Sequence, residues 1–498
     1  MIFRFTYRKL LYNISIISFF LFGHTAFSQQ YDHTWLFPQN AGIHFDINGL
    51  PQSISSTLGA PYTGGENASI SDYSGNIIFY ANSSTIGNNT LFVYNPQSSV
   101  MFNGDSLLGT YALYNGCKII PTPQDTNLFY LFAQCINRPS GTGNSFYFSL
   151  VDPYYNNSSG RVIFRDSIIV NDGINDKFAM VHHANGRDWW LILQSATIDS
   201  LFYKVLIAPD SFRVFTQKIG TGANQSKYYG SMIFSNDGTK LITCSWTCRL
   251  EVFDFDRCTG ELSNWINLSP LNCSNDTYAY NGCAISPSNQ FVYATSLDYA
   301  TKPTYKFDLL APNPRLSRQI INTYPDTGIY YNAELGRMAM GPDNVIYIAK
   351  YYRQSTNKYL DAIVYPDSAC SNCNYARDYF YLTYGFPFVI LPQFPNFRAG
   401  REIGTVCDSL FSSIAEISQS DFSLYPNPTN EQITISTKLP YVYRYSIYNL
   451  LGKKMLTDKF TGNTEIDVTG FSSGIYFVLI EGMNGVITMR MSVCKDSK

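Results

Sequence analysis

The chain has 498 residues, 35 Lys+Arg against 37 Asp+Glu and a formal net charge of -2, so it advertises no polyanion-binding surface and nucleic acid is not an expected partner. Only 14% of residues are charged while 16% are aromatic, with 39 Tyr, a balance that suits an extracellular β-rich protein and not an intracellular helical enzyme.

Arg4, Arg8 and Lys9 precede an apolar run from Leu10 to Phe22, and Ala26-Phe27-Ser28 places small residues two apart. This pattern predicts a signal peptide over 1–28, cleaved between Ser28 and Gln29. The run is shorter than the ~20 apolar residues that a spanning helix needs. No later stretch is long and apolar enough, so no transmembrane helix is expected in the mature protein.

From there a phrase repeats. Gly65 to Ser71, the turn Asp72-Tyr73-Ser74-Gly75-Asn76 and Ile77 to Tyr80 read as strand, turn and strand. The phrase recurs at Tyr229 to Ser235 with turn Asn236-Asp237-Gly238, and at Asn281 to Ser286 with turn Pro287-Ser288-Asn289. Looser copies lie at Lys118 to Phe132, Met180 to Leu193 and Met338 to Ala349. With Ser71, Ile120, His183, Ser235, Ser286 and Gly341 taken as equivalent, successive copies are roughly 50 to 60 residues apart, the length of a propeller blade. Six copies are visible, and the remaining length allows a seventh.

One unit reads through as Met232 to Ser235, Lys240 to Ser245, Leu250 to Phe255 and Leu262 to Leu268, strands a to d from the axis outward. Asp237-Gly238 and Thr259-Gly260 supply the positive φ of tight hairpins. Such a sheet buries both faces only by stacking on its neighbours around an axis. The opening Trp35 to Phe45 and the closing Phe386 to Phe397 are expected to share a blade and tie the ring shut.

Trp35, Ala41-Gly42-Ile43, Phe45, Glu66 to Asp72, His183-Ala184-Asn185-Gly186, Phe253-Asp254-Phe255-Asp256 and Leu391-Pro392-Gln393-Phe394-Pro395-Asn396-Phe397 resemble a family of secreted Bacteroidetes β-propellers, described as WD-repeat-like or YVTN-type. The resemblance spans about Tyr31 to Asp408. It implies a fold and an address and brings no settled activity.

Eleven Cys in an exported chain invite a disulfide reading. Cys117 and Cys135 are equidistant from the turn near Asp125, Cys244 and Cys248 bracket a turn between strands b and c, Cys273 and Cys283 bracket a d–a loop, and Cys370 and Cys373 enclose a tight loop. These four pairs are the expected bridges, with Cys258, Cys407 and Cys494 left over. No second pair at zinc-like spacing accompanies Cys370 and Cys373, so no metal is expected there.

No Gly-x-Ser-x-Gly elbow, His-Glu-x-x-His helix or phosphate-cradling loop is present, and neither a cofactor nor a catalytic residue is expected. His182-His183 precedes a hairpin turn, which predicts a ring packed inside a blade. Tyrosines are placed more suggestively. Tyr62, Tyr111, Tyr114, Tyr228, Tyr229, Tyr278, Tyr280, Tyr330 and Tyr331 fall just before inner strands, where d–a loops cross toward the axis on one face. Glu66, Lys227 and Glu334 lie in the same loops. A ring of Tyr with polar neighbours suits a sugar or peptide, since each side chain offers an apolar face and a hydroxyl. The alternative is that these Tyr wedge between blades as spacers.

A short Ser-containing linker over 408–421 leads to the last segment. Tyr425-Pro426-Asn427-Pro428-Thr429, then Ile447 to Lys453 with Gly452, then Asp467 to Val478 with Gly474 resemble in this order the type A C-terminal sorting domain of the bacterial type IX secretion system. The resemblance implies a partnership with that machinery and export across the outer membrane.

The expected protein is therefore all-β: a signal peptide (1–28), a β-propeller of seven blades (29–407), a linker (408–421) and an Ig-like β-sandwich (422–498). Its expected place is outside the cell or on its surface, reached through the periplasm. Its expected work is binding or adhesion to a glycan, a peptide or an envelope protein. An extracellular hydrolase or lactonase-like enzyme acting at the channel mouth, and a structural envelope component, are the alternatives.

Overall fold

The computed structural model describes residues 31–37, 40–56, 67–83, 90–109, 116–135, 145–198, 200–220, 230–270, 279–296, 301–324, 333–352, 357–369, 375–386, 391–408, 422–437, 442–450, 453–482 and 485–495. The chain divides into two compact units between Ile403 and Gly404, slightly before the linker expected from sequence.

Seven antiparallel sheets make up the described part of the first unit. Blade 1 has three strands, Thr34–Leu36, Ala41–Phe45 and Pro51–Ser55. Blades 2 to 7 have four strands each, in simple order. Their inner strands are Asn67–Ser71, Cys117–Pro121, Ile174–His182, Gly230–Phe234, Tyr280–Ile285 and Ala333–Met340.

Apolar side chains stack these sheets into a closed ring. Leu36 of blade 1 shares a cluster with Tyr80 of blade 2. Blades 2, 3 and 4 pool Phe79, Phe132 and Phe178. Phe202 meets Phe253 between blades 4 and 5, and Ile242 joins Val292 between blades 5 and 6. Tyr293 packs with Ile348 between blades 6 and 7. Tyr347 and Leu360 of blade 7 then close on Trp35 and Phe45 of blade 1. Each sheet thus hides both faces against neighbours, which is the reason a blade exists only as part of a ring.

Blade 5 follows the sequence closely, with strands Gly230–Phe234, Lys240–Ser245, Arg249–Phe255 and Leu262–Asn267. Its turns use Gly238 (φ +74) and Gly260 (φ +72), as the hairpins require. Asp237 Oδ1 accepts the Thr239 N–H at 3.0 Å, an Asx turn that fixes the a–b hairpin. The equivalence of copies needs correcting at two places. The residue whose N–H closes the a–b hairpin is Asp72, to Asn76 O, and Thr122, to Leu128 O, as Ser235 does to Lys240 O. Ser71 and Ile120 are therefore one and two positions early, the second because Pro121 still belongs to the strand.

The ring closes differently from expectation. Leu391 and Phe394 join the cluster of Trp35 and Phe45, so the opening and closing segments do meet. Residues 391–395 form no strand, however, and Gln393 bonds to the inner strands of blades 3 and 7, while residues 387–390 lie outside the described residues. Pro392 and Pro395 lack the N–H that a ladder needs.

The cysteines also differ. Cys117 stands opposite Ala133, and Cys135 opposite Ser145, so the hairpin register does not face the two cysteines toward each other and both remain thiols. Cys244 and Cys283 are thiols as well, which removes the Cys244–Cys248 and Cys273–Cys283 bridges. Cys248, Cys258 and Cys407 are disulfide-bonded, two of them residues that spacing had left over. Cys273, Cys370 and Cys373 lie outside the described residues.

The second unit is a sandwich. Phe422–Tyr425, Gln432–Thr437 and Thr464–Asp467 form one sheet, and Lys454–Thr461, Val442–Asn449, Gly474–Gly482 and Gly485–Val493 the other. Ile433, Ile435 and Ile466 of the first pack with Ile447, Val478, Ile480 and Met491 of the second. The Tyr-Pro-Asn-Pro-Thr motif is pinned to the final strand: Asn427 donates to Arg490 O (2.8 Å) and accepts from Ser492 N (2.9 Å), and Thr429 N donates to Ser492 O (2.9 Å).

Candidate functional site

The ring's axis is where side chains from separate blades converge, and residues 391–402 occupy it. Along the inner strands, Lys118 Nζ donates to Gln393 O, the Gln393 amide donates to Met338 O (2.9 Å), and Ser231 Oγ lies 3.4 Å from Gln393 Oε1. Near the strand ends, Asn396 N donates to Met180 O (2.8 Å) and its side chain to Ser235 O and Asn236 O. Arg398 then pairs with Asp32 (3.3 Å), Glu402 with Arg257 (2.7 Å), and Glu402 N donates to Ala184 O at the a–b hairpin of blade 4. The segment is a strap that runs along the axis and leaves on the hairpin side. A cavity of about 100 Å³ flanks it, lined by Trp35, Met180, Met232, Met338, Met340 and Phe394 among others.

The inner strands also bring cations into the buried interior. Lys118, Lys177 and Arg337 are all buried. Lys177 and Arg337 converge on Gly230: Arg337 Nη1 donates to Gly230 O, and a Cβ on Gly230 would lie 2.6 Å from Lys177 Cδ. Burial lowers the Lys118 ammonium to about 7, the Cys117 thiolate partly opposes this, and the Arg337 charge adds to it. Asp176, also buried, is the carboxylate on the same inner strand as Lys177. Burial raises the Cys244 thiol, but the Cys283 S–H, Arg337 and Lys177 together outweigh it and hold the thiol below its usual value.

The hairpin side is a packed polar corner. His182 stacks on Trp189 with ring centroids 3.6 Å apart, and burial, then Arg257, lowers its pKa to about 4. His183 Nδ1 accepts the Asn185 N–H (3.0 Å), leaving Nε2–H to donate to Cys258 O (3.0 Å). Both rings are built into the blade, as the sequence suggested.

Of the residues expected at the mouth, Tyr62, Tyr111, Tyr114, Tyr228, Tyr229, Tyr278, Tyr330, Tyr331, Glu66 and Lys227 lie outside the described residues. Tyr280 is fully buried in the cluster that joins blades 5 and 6, and its ring meets Tyr305 of its own blade edge-on at 6.2 Å, so at this position there is no open ligand surface. Glu334 is half-buried on the inner strand of blade 7, opposite Tyr351. Sequence reading overlooked the axial cations. Their signal was a charge inside an otherwise apolar inner strand, as in Cys117-Lys118-Ile119-Ile120 and Gly336-Arg337-Met338. Tyr425, Pro426, Asn427, Pro428 and Gly474 are in place in the second unit. Gly452, Ser28 and Gln29 lie outside the described residues.

Fold and tail together define an exported β-propeller. Residues 423–494 match the secretion system C-terminal sorting domain family, so the chain is a substrate of the type IX machinery, delivered to the cell surface or beyond. No helix among the described residues is long and apolar enough to cross a membrane. No curated protein matches the chain. Among solved structures it is similar to a protein from Lactobacillus plantarum (11% identity, 73% of this chain and 98% of that one, TM-score 0.46). A periplasmic gluconolactonase from Pseudomonas aeruginosa aligns at 11% identity over 72% of this chain and 98% of its own, TM-score 0.43. The β-propeller domain of a protein from Myceliophteria thermophila aligns at 11% over 64% and 93%, TM-score 0.36.

Proposed function

We propose that this protein is an exported binding module whose ligand, a glycan, a peptide or an envelope protein, docks on the d–a loop face of the ring. The observation that carries this reading is the strap: residues 391–402 take up the axis and leave on the hairpin side, so the loop face is the end left for a partner. Tyr114, Tyr229 and Tyr331 come just before inner strands in the sequence, and rigid aromatic hydroxyls make contacts at low entropic cost. A hydrolase would gather carboxylates or imidazoles at the axis to move protons. The described inner strands bring the cations Lys118, Lys177 and Arg337 inward beside a single buried carboxylate, Asp176.

The test is capture of arrayed glycans and peptides by the full exported chain. Tyr229→Ala and Tyr331→Ala should each weaken capture at least tenfold, while Tyr73→Ala, at an exposed turn on the hairpin side, should leave it unchanged. Loss with Tyr73→Ala and retention with the other two would place the ligand on the wrong face.

A further inference from the structure

Cys244 lies on the second strand of blade 5, opposite Ser231, and Cys283 on the inner strand of blade 6. Both are fully buried in one apolar cluster with Ile242, Leu250 and Val292 that joins blade 5 to blade 6, and the two thiols act on each other across that boundary. In the closed fold Cys244 is held, against its burial, below its usual value by Cys283, Arg337 and Lys177, whereas burial and then Cys244 hold the Cys283 thiol well above its own. The chain is exported and so passes through an oxidising compartment, where Cys248, Cys258 and Cys407 already stand as disulfides.

We propose that Cys244 and Cys283 close into a disulfide in the exported protein, riveting blade 5 to blade 6 beside the ring's axis. The step is thiol–disulfide exchange with a protein disulfide of the cell envelope. The Cys244 thiolate attacks one sulfur of that disulfide and expels the other as a thiolate. The Cys283 thiolate then attacks the Cys244 sulfur of the mixed disulfide and expels the second. The S–S bond forms as the oxidant's bond breaks, two electrons pass to the oxidant, and the two thiol protons end on its dithiol. Exchange takes place before blades 5 and 6 shut, because the finished fold buries both sulfurs.

Peptide mapping of the unsubstituted full chain decides the matter. Protein recovered from the medium of a secreting host is denatured in excess alkylating agent and digested without reductant, beside the same chain made in a reducing cytoplasm. The expected result is a Cys244–Cys283 cross-linked peptide pair, abolished by reductant, in the exported protein, with both residues alkylated in the cytoplasmic one. Alkylation of both in the exported protein, or a link from either to a different cysteine, overturns the proposal. Cys283→Ser should in turn convert exported Cys244 from protected to alkylated; protection that persists counts against the pair.

Discussion

His182 shows how a single ring couples the fold to pH. Its pKa of about 4 in the folded protein lies below the ordinary 6.5 because burial, and then the Arg257 charge, penalise the imidazolium. The folded state therefore binds fewer protons than the unfolded chain between those values. Stability is intact above pH 6.5 and is lost as pH falls toward 4, by about 3 kcal/mol from the shift alone. His182→Phe keeps a ring against Trp189 and should flatten this acid limb in urea titrations at successive pH values. An unchanged limb would show that another group carries it. Asp361 is a second residue with a large expected effect: it accepts from Tyr324 (2.5 Å), Tyr375 (2.7 Å) and Asp378 N (2.9 Å) and pairs with Lys350. Asp361→Ala removes the buried one of the two carboxylates that neutralise Lys350, Asp378 being the other, strands the Tyr324 and Tyr375 hydroxyls, and should cost about 3 kcal/mol in denaturant unfolding. A cost under about 1 kcal/mol would contradict that role.

At the scale of the element, the hairpins were the legible part and the strap was not. Blade 5 could be read because Asp237-Gly238 and Thr259-Gly260 demand positive φ and the runs between them are apolar. Leu391 to Phe397 carries the same apolar density, yet its prolines withhold N–H groups from any ladder while Gln393 and Asn396 donate to backbone carbonyls on distant blades, a pairing that no local pattern encodes. Asn396 is its central anchor, donating to Ser235 O and Asn236 O and accepting from Arg398 N and Ala399 N. Asn396→Ala should lower stability by about 2 kcal/mol, read from thermal unfolding. The cysteine register failed on the centre of the turn: the ladder is regular about Asp125, which sets Cys117 against Ala133 and leaves Cys135 two residues further along the strand. With no bridge to lose, Cys117→Ala should cost only about 1 kcal/mol of packing. A loss above about 2 kcal/mol would restore the bridge.

For the whole molecule, sequence carried the address and the architecture further than the site. The sorting tail is a compact motif clamped to its own last strand, and the blades repeat, so both leave a periodic or local trace. The axis leaves only isolated charges in apolar strands, because Lys118, Lys177 and Arg337 come from three blades and meet only when the ring closes. The second unit has its own core, so deleting 422–498 should leave the propeller's melting unchanged while the protein stays in the periplasm. Surface exposure of that truncated chain would contradict the assignment of export to the tail.

The strap is the claim on which the choice of ligand face depends, and amide hydrogen exchange on the exported protein tests it directly. The N–H groups of Asn396 and Glu402, bonded to Met180 O and Ala184 O, should exchange as slowly as those of the Ile174–His182 strand. Exchange at the rate of an open coil would mean that the axis is vacant on the hairpin side and that a partner has two faces to choose from.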